Sequence, residues 1–291
     1  MAEDEFGALH LARHYVDVDR PQAALDALAR VSGDALAEPE YWAVRAEALL
    51  HLERYGDGAE AAERGLEQDP EDISLLDVLA ICRLERDDFA GAEQALATAL
   101  ELSPENPLLL AHRALVLARS KRFAEAREAV DQAMRVAPDW TPVLRVRAQV
   151  AVLADDPAAS WYVDELLERD PEDRIGHALR GNLAAKQRRF VSASRSFDQA
   201  ARLDPTDPEL AEVAREARVA AHPVLAPLRP IYRFGRWRSY FLYLALAFGL
   251  AAAGLQSLRV VLAIVWISLV LLSWIGPRVL RWRQKRRYGG F

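Results

Sequence analysis

Apolar residues recur at helical spacing over the first two thirds of the chain, and polar stretches that carry a proline interrupt them. Pro70, Pro104, Pro138, Pro171 and Pro205 stand 34, 34, 33 and 34 residues apart. Proline lacks the amide that would continue a helix, so each one closes a helical run. Small residues keep the same period. Gly58, Ala92, Ala126, Ala159 and Ala193 lie 12 residues before successive prolines, and Ala46, Ala80, Ala114, Arg147 and Gly181 lie 24 before them. Tyr55, Phe89, Phe123 and Phe190 lie 15 before, with Asp156 in the fifth copy. The pattern predicts two paired helices per period, crossing closely at the small positions, with the aromatic filling the wedge between them. Arg147 and a one-residue shorter turn at Asp155-Asp156-Pro157 set the fifth copy apart.

A looser copy runs from about Glu5 to Val31, with Ala12, Tyr15 and Ala24 in register and extra residues in Ser32-Gly33-Asp34. Six copies result. Asp207 to Ala221 closes the series: Asp207 is placed as an N-cap, Pro208 at the first helical position, and Leu210, Val213, Ala214 and Ala217 form one stripe. A stack of this kind needs a polar-faced cap at each end.

Beyond Pro223 the pattern changes. Pro223, Pro227 and Pro230 read as a stiff connector. Ser239–Leu258 and Val260–Pro277 then carry no formal charge, with Arg259 between them. Each run has the length of a membrane span, with the turn expected at Gln256-Ser257-Leu258-Arg259. A single bent helix or a shallow re-entrant hairpin is the competing geometry. The expected organisation is a repeat array over 1–222, a juxtamembrane linker over 223–238, a two-span hairpin over 239–277 and a basic tail over 278–291.

Charge separates the same regions. The chain of 291 residues is 52% hydrophobic and 27% charged, with a formal charge of −6. That charge divides into −17 before Pro223 and +11 after it, because no Asp or Glu follows Pro223. Arg229, Arg233, Arg236 and Arg238 precede the first apolar run, and Arg278, Arg281, Arg283, Lys285, Arg286 and Arg287 follow the second. By the positive-inside rule both ends face the cytoplasm. The expected location is the inner or plasma membrane, multi-pass, with array and C-terminus cytoplasmic. Trp237, Tyr240, Trp274 and Trp282 are placed as interfacial anchors, and Ala245, Gly249 and Ala253 as a stripe for close helix contact. The acidic N-terminus shows no secretory signal, and a single cysteine, Cys82, rules out an internal disulfide framework. Only three of the 37 basic residues are lysines, a bias that reads as GC-rich bacterial coding.

Trp42, Ala46, Leu49, Tyr55, Gly58, Ala62 and Pro70 follow the residue order of the tetratricopeptide repeat, and the period holds through residue 205. The array resembles that family. The resemblance implies an all-α, right-handed superhelix of antiparallel helix pairs with a capping helix, to which the sequence adds two C-terminal transmembrane helices. It also implies a concave face, formed by the first helix of each repeat, that holds segments of other proteins. In register this face includes Val44, Glu47, His51, Asp77, Ile81, Glu85, His112, Leu115, Arg119, Arg145 and Lys186. Their charges run from acidic in early repeats to more basic in later ones, which would orient a bound peptide. The branch of the family that clamps chaperone carboxylates uses Lys and Asn where Ala43, Glu47, Asp77 and Ile81 stand here, so that role is not expected.

No complete catalytic constellation is legible, and neither a catalytic residue, a metal site nor a cofactor is expected. His10 and His14 are four apart on a helix but lack further ligands. Cys82 reads as a small core or groove residue rather than a nucleophile. Acidic pairs such as Asp87-Asp88 fall in turns, where capping explains them. Arg281-Trp282-Arg283-Gln284-Lys285-Arg286-Arg287 could contact phosphates of either kind, but beside an apolar run anionic lipid is the expected partner and nucleic acid is not. The lipid-headgroup set is Arg233, Arg236, Arg238, Arg281, Arg283, Lys285, Arg286 and Arg287. The functional expectation is a membrane-anchored, non-enzymatic scaffold for partner proteins. The alternative is an obligatory non-catalytic subunit of a membrane enzyme or of a transport or secretion complex.

Overall fold

The computed structural model describes residues 2–33, 36, 38–228, 243–248, 256–258, 260–269, 271 and 279. Through residue 221 the chain forms α1 (Ala2–Asp17), α2 (Pro21–Leu28), α3 (Pro39–His51), α4 (Tyr55–Leu66), α5 (Ile73–Glu85), α6 (Phe89–Leu102), α7 (Pro107–Arg119), α8 (Phe123–Val136), α9 (Thr141–Leu153), α10 (Ala159–Arg169), α11 (Arg174–Lys186), α12 (Phe190–Leu203) and α13 (Pro208–Ala221). Among the described residues there is no strand. The expected aromatics are the first residues of α4, α6, α8 and α12. The chain divides within α10 into two compact units, Met1–Glu165 and Leu166–Phe291.

In the first unit α1, α3, α5 and α7 each pack on the second helix of their own pair and on the first helix of the next pair. First helices are therefore covered on several sides. In α7 this buries Leu109, Leu110, Ala111, Ala114, Val116, Leu117 and Ala118. Its partner α8 buries only Ala126, Ala129, Val130 and Ala133, one stripe of a helix whose other face meets solvent. Small residues sit at the crossings. A Cβ on Gly58 would stand 2.9 Å from Cys82 Sγ, and one on Gly65 would stand 2.9 Å from Trp42 Cβ. Cys82 is wholly buried in this core, as a small apolar residue.

Two kinds of turn join the helices. Residues two after the repeat prolines are N-caps of the next first helix: Asp72 and Asn106 accept backbone N–H bonds from two residues each. Trp140 holds the extended cap geometry, with φ −82 and ψ 120, but offers no side-chain acceptor. Within each repeat the first helix ends on a residue with positive φ. These are Asp19, Glu53, Asp87, Lys121, Asp155 and Arg188, at φ 51 to 66. The pattern around Glu53 is typical: Glu53 N–H donates to Leu50 O and Arg54 N–H to Leu49 O, the Schellman arrangement that glycine most often completes.

In the fifth pair Arg147 takes the small-residue position. Its guanidinium lies over the ring of Tyr162 at 4.6 Å and of Trp161 at 5.6 Å and pairs with Glu165. A long side chain thus spreads over α10 where elsewhere an alanine lets the helices close. Asp156 stands in place of the aromatic and accepts from Ala158 N–H, a capping role.

In the second unit α11 packs on α12, and α12 on α13. A Cβ on Gly181 would meet the Phe197 ring at 2.8 Å. Asp173 caps α11 through Gly176 N–H, and Asp207 caps α13 through Glu209 and Leu210 N–H with Pro208 in the first turn, as expected. Of the expected connector, Pro223–Leu228 forms a 3-10 helix. The remainder of the linker and most of the two apolar runs lie outside the described residues. The described parts correct one expectation: residues 256–258 of the predicted turn are helical, because Gln, Ser and Leu contain no helix breaker. Among the described residues no helix is long and apolar enough to cross a membrane.

Candidate functional site

The face built by successive first helices is where the sequence places partner binding. Its side chains are ordered by one repeating contact: a guanidinium or an imidazole meets a carboxylate about one repeat away. Arg13 Nη1 of α1 donates to Glu47 Oε2 of α3 at 2.6 Å. His51 Nδ1 lies 3.3 Å from Asp19 Oδ1. His112 Nδ1 of α7 lies 2.6 Å from Asp77 Oδ1 of α5. Arg119 reaches Glu85 at 3.4 Å and Asp87 at 3.3 Å. The partners are 32 to 35 residues apart, because equivalent positions of neighbouring repeats fall side by side.

This ladder changes the reading of the face. Glu47, His51, Asp77, Glu85, His112 and Arg119 do occupy it, but each side chain already has a polar partner from a neighbouring repeat. The expected acidic-to-basic gradient is therefore spent within the array rather than offered to a peptide. The Arg13–Glu47 and Arg119–Glu85 pairs, each about one third exposed, contribute about 0–1 kcal/mol each. Between the pairs, Ile81 and Leu115 are partly buried against the core and form the apolar part of the face.

Val44 does not belong to the face. It is wholly buried against Leu9, Ala12, Tyr41 and Ala48, because it points into the α1–α3 packing, and it presents no surface. Arg145 is partly buried on α9. Lys186 is exposed on α11 and belongs to the second unit. Arg13 and Asp19 were missed by the sequence reading. Opposite charges one period apart, Arg13 with Glu47 and Glu85 with Arg119, were the available signal.

The outer side carries similar links, Arg83 to Glu63 at 2.9 Å and Arg122 to Glu93 at 2.7 Å. Hydrogen bonds to Glu125 and Glu93 push the Arg122 guanidinium up, and the Glu125 carboxyl is held low by Arg122. Burial pushes the Cys82 thiol up to about 11, which keeps it protonated and unreactive. Among the described residues no group of three or more His, Cys, Asp or Glu side chains could hold a metal ion. His10 and His14 are exposed. The lipid-headgroup set, Arg233, Arg236, Arg238, Arg281, Arg283, Lys285, Arg286 and Arg287, lies outside the described residues, as do Trp237, Tyr240, Trp274 and Trp282.

Family models for the tetratricopeptide repeat match residues 83–150 and, in a second form, residues 9–73 and 152–208. Stacked helix pairs of this period, crossing at small residues, define the class, and the chain belongs to the tetratricopeptide repeat family. Its fold is similar to that of a thermophilic tetratricopeptide protein of Thermus thermophilus, at a TM-score of 0.56 and 20% identity over 62% of this chain and 98% of that one. It is similar also to pilF of Pseudomonas aeruginosa, at 0.50 and 20% over 72% and 96%. A human IFIT1 dimer with m7Gppp-AAAA gives 0.57 and 21% over 72% and 54%. These identities make the likenesses ones of fold alone. They span bacterial and human proteins and so do not bear on the source. No curated protein matches the chain.

Proposed function

We propose that this protein is a scaffold that holds partner proteins on the first-helix face of its repeats and keeps them at a membrane through its C-terminal apolar segments. Tetratricopeptide repeats mediate protein–protein interaction, and the first helices of this array bring apolar and charged side chains onto one face. The observation that carries the binding reading is the partly buried pair Ile81 and Leu115, apolar surface on first helices whose polar side chains are linked from repeat to repeat, His112 to Asp77 and Arg119 to Glu85. With the charges paired internally, apolar contact at Ile81 and Leu115 supplies the affinity.

Membrane attachment is supported by the two uncharged runs, by their basic flanks, and by described side chains such as Phe248 and Ile264, which are 79% and 58% exposed. The positive-inside pattern supports a cytoplasmic array. The reading assigns no catalytic step. Anionic lipid is the proposed partner of the basic flanks, and no role with nucleic acid is assigned.

Recovery of bound protein from solubilised membranes by the full chain and by Ile81→Lys/Leu115→Lys tests the face. Loss of bound protein, with helix content retained by circular dichroism, is expected. Unchanged recovery refutes the assignment. Retention in the membrane pellet after alkaline carbonate is expected of the full chain, and release refutes the anchor.

A further inference from the structure

α4, α6, α8 and α12 each begin on an aromatic, and three outer positions keep fixed spacing from it, two residues before, five after and twelve after. In α4 these are Glu53, Glu60 and Glu67, and in α6 they are Asp87, Gln94 and Glu101. α8 carries Lys121, Glu128 and Arg135, and α12 carries Arg188, Arg195 and Arg202. All of them are exposed. The row therefore changes from wholly acidic to wholly cationic, while Gly58, Ala92, Ala126 and Ala193 stay buried at one register beneath it. Packing is the same under either charge, so the fold does not demand the arginines.

The arginine row has no counterion of its own. Arg174 and Arg218 of the same unit pair with Asp204 and Asp198, but among the described residues Arg188, Arg195 and Arg202 meet no carboxylate. From Arg174 to Phe197 the sequence holds six Lys or Arg and no Asp or Glu. Arg195 and Arg202 are two helical turns apart and project from one side of α12 about 10 Å from each other. Val191, 40% exposed and one turn before Arg195, places an apolar side chain beside them.

We propose that the outer face of α12 docks on anionic lipid headgroups, so that the sixth repeat itself lies against the membrane surface. The inference rests on the membrane reading above and adds a second contact, made by the folded array. A basic residue near an anionic surface is worth about fivefold in partition, so three supply about a hundredfold, and a row like that of α4 would be repelled. Two observations select lipid over nucleic acid. Single strands are held by exposed aromatic rings set among the cations, whereas Phe190 is partly buried and the exposed apolar residue is Val191. α12 also belongs to the repeat nearest in sequence to the proposed anchor, which raises its concentration at the surface.

The test uses full-length protein with vesicles of phosphatidylcholine, alone or mixed with phosphatidylglycerol. A donor dye on Gln187→Cys, in the exposed turn before α12, transfers energy to an acceptor on the headgroups; the buried Cys82 takes no dye. Arg188→Glu/Arg195→Glu/Arg202→Glu gives α12 the row of α4, and Arg20→Glu/Arg30→Glu/Arg86→Glu changes net charge equally from other exposed sites. Expected is transfer that rises with phosphatidylglycerol, falls to the phosphatidylcholine level in the first variant and persists in the second. High salt, which needs no variant, should abolish the rise in the wild type. Transfer indifferent to phosphatidylglycerol, to salt or to the first variant overturns the inference. So does a uridine oligonucleotide that binds more tightly than the vesicles and is lost with the same three arginines, since the row then serves nucleic acid. Failure to float with phosphatidylcholine alone overturns the anchor; the α12 contact then shows as flotation that needs phosphatidylglycerol and disappears in the first variant.

Discussion

Replacing Gly58 by alanine probes the crossing on which each repeat depends. The new methyl would stand 2.9 Å from Cys82 Sγ, 3.5 Å from Ala46 O and 3.6 Å from Leu49 Cβ. Only the first contact is severe, being well under the 3.5–4.0 Å of an ordinary non-bonded approach. Alanine gains about 1 kcal/mol over glycine inside a helix, while over-packing costs about 1–3 kcal/mol, so Gly58→Ala alone should destabilise by about 0–2 kcal/mol. Cys82→Ala removes a wholly buried sulfur and leaves a small void, which costs about 1–2 kcal/mol. Together the two changes cancel geometrically, since the alanine methyl enters the space that the sulfur vacates. The double variant should therefore lie near wild type, with a favourable coupling of about 1–3 kcal/mol. The assay is chemical denaturation of the four proteins followed by circular dichroism. Additive losses would refute the packing argument, for they would mean that Gly58 and Cys82 do not compete for one space.

Three further outcomes follow from the turns and caps. Glycine at the left-handed positions, in Glu53→Gly, Lys121→Gly and Arg188→Gly, should stabilise by about 0.5–1 kcal/mol each, read as a shift in denaturation midpoint; destabilisation would contradict the Schellman assignment. Trp140→Asp supplies the acceptor that the start of α9 lacks and should add about 1 kcal/mol, a gain absent from Trp140→Ala. Asp204 is held below the usual carboxylate range by the Thr206 hydroxyl at 2.7 Å, by Arg174 and by N–H bonds. A lowered folded-state value means stability that is present above the ordinary carboxylate range and lost as pH falls through the folded value. Asp204→Asn should thus cost about 1 kcal/mol at neutral pH and little once wild-type Asp204 is protonated, and a pH-independent difference would refute the role.

The helix pairs were legible because the signals that specify them are periodic and local: prolines that stop helices, small residues at crossings and aromatics at the starts of α4, α6, α8 and α12. The capping of α13 was legible for the same reason, since Asp207-Pro208 encodes its own geometry. What escaped was non-local or had no residue signature. Val44 fits the face by register, yet the packing of α1 on α3 buries it. The charges at Glu47, Asp77 and Arg119 looked available because their partners lie a full repeat away. The left-handed residues carry Glu, Lys and Arg rather than glycine, so nothing in residue type marked them. Of the turn expected at Gln256-Ser257-Leu258-Arg259, residues 256–258 are helical, because nothing in Gln, Ser or Leu breaks a helix.

The central claim, that partners occupy the face of the first helices, is tested most directly by placing a photo-reactive residue in the full chain within native membranes. At Leu115, between the inter-repeat ion pairs, a discrete adduct with another protein is predicted; at Glu128, exposed on the outer side of α8, none is. An adduct formed from Glu128 and not from Leu115 would contradict the account.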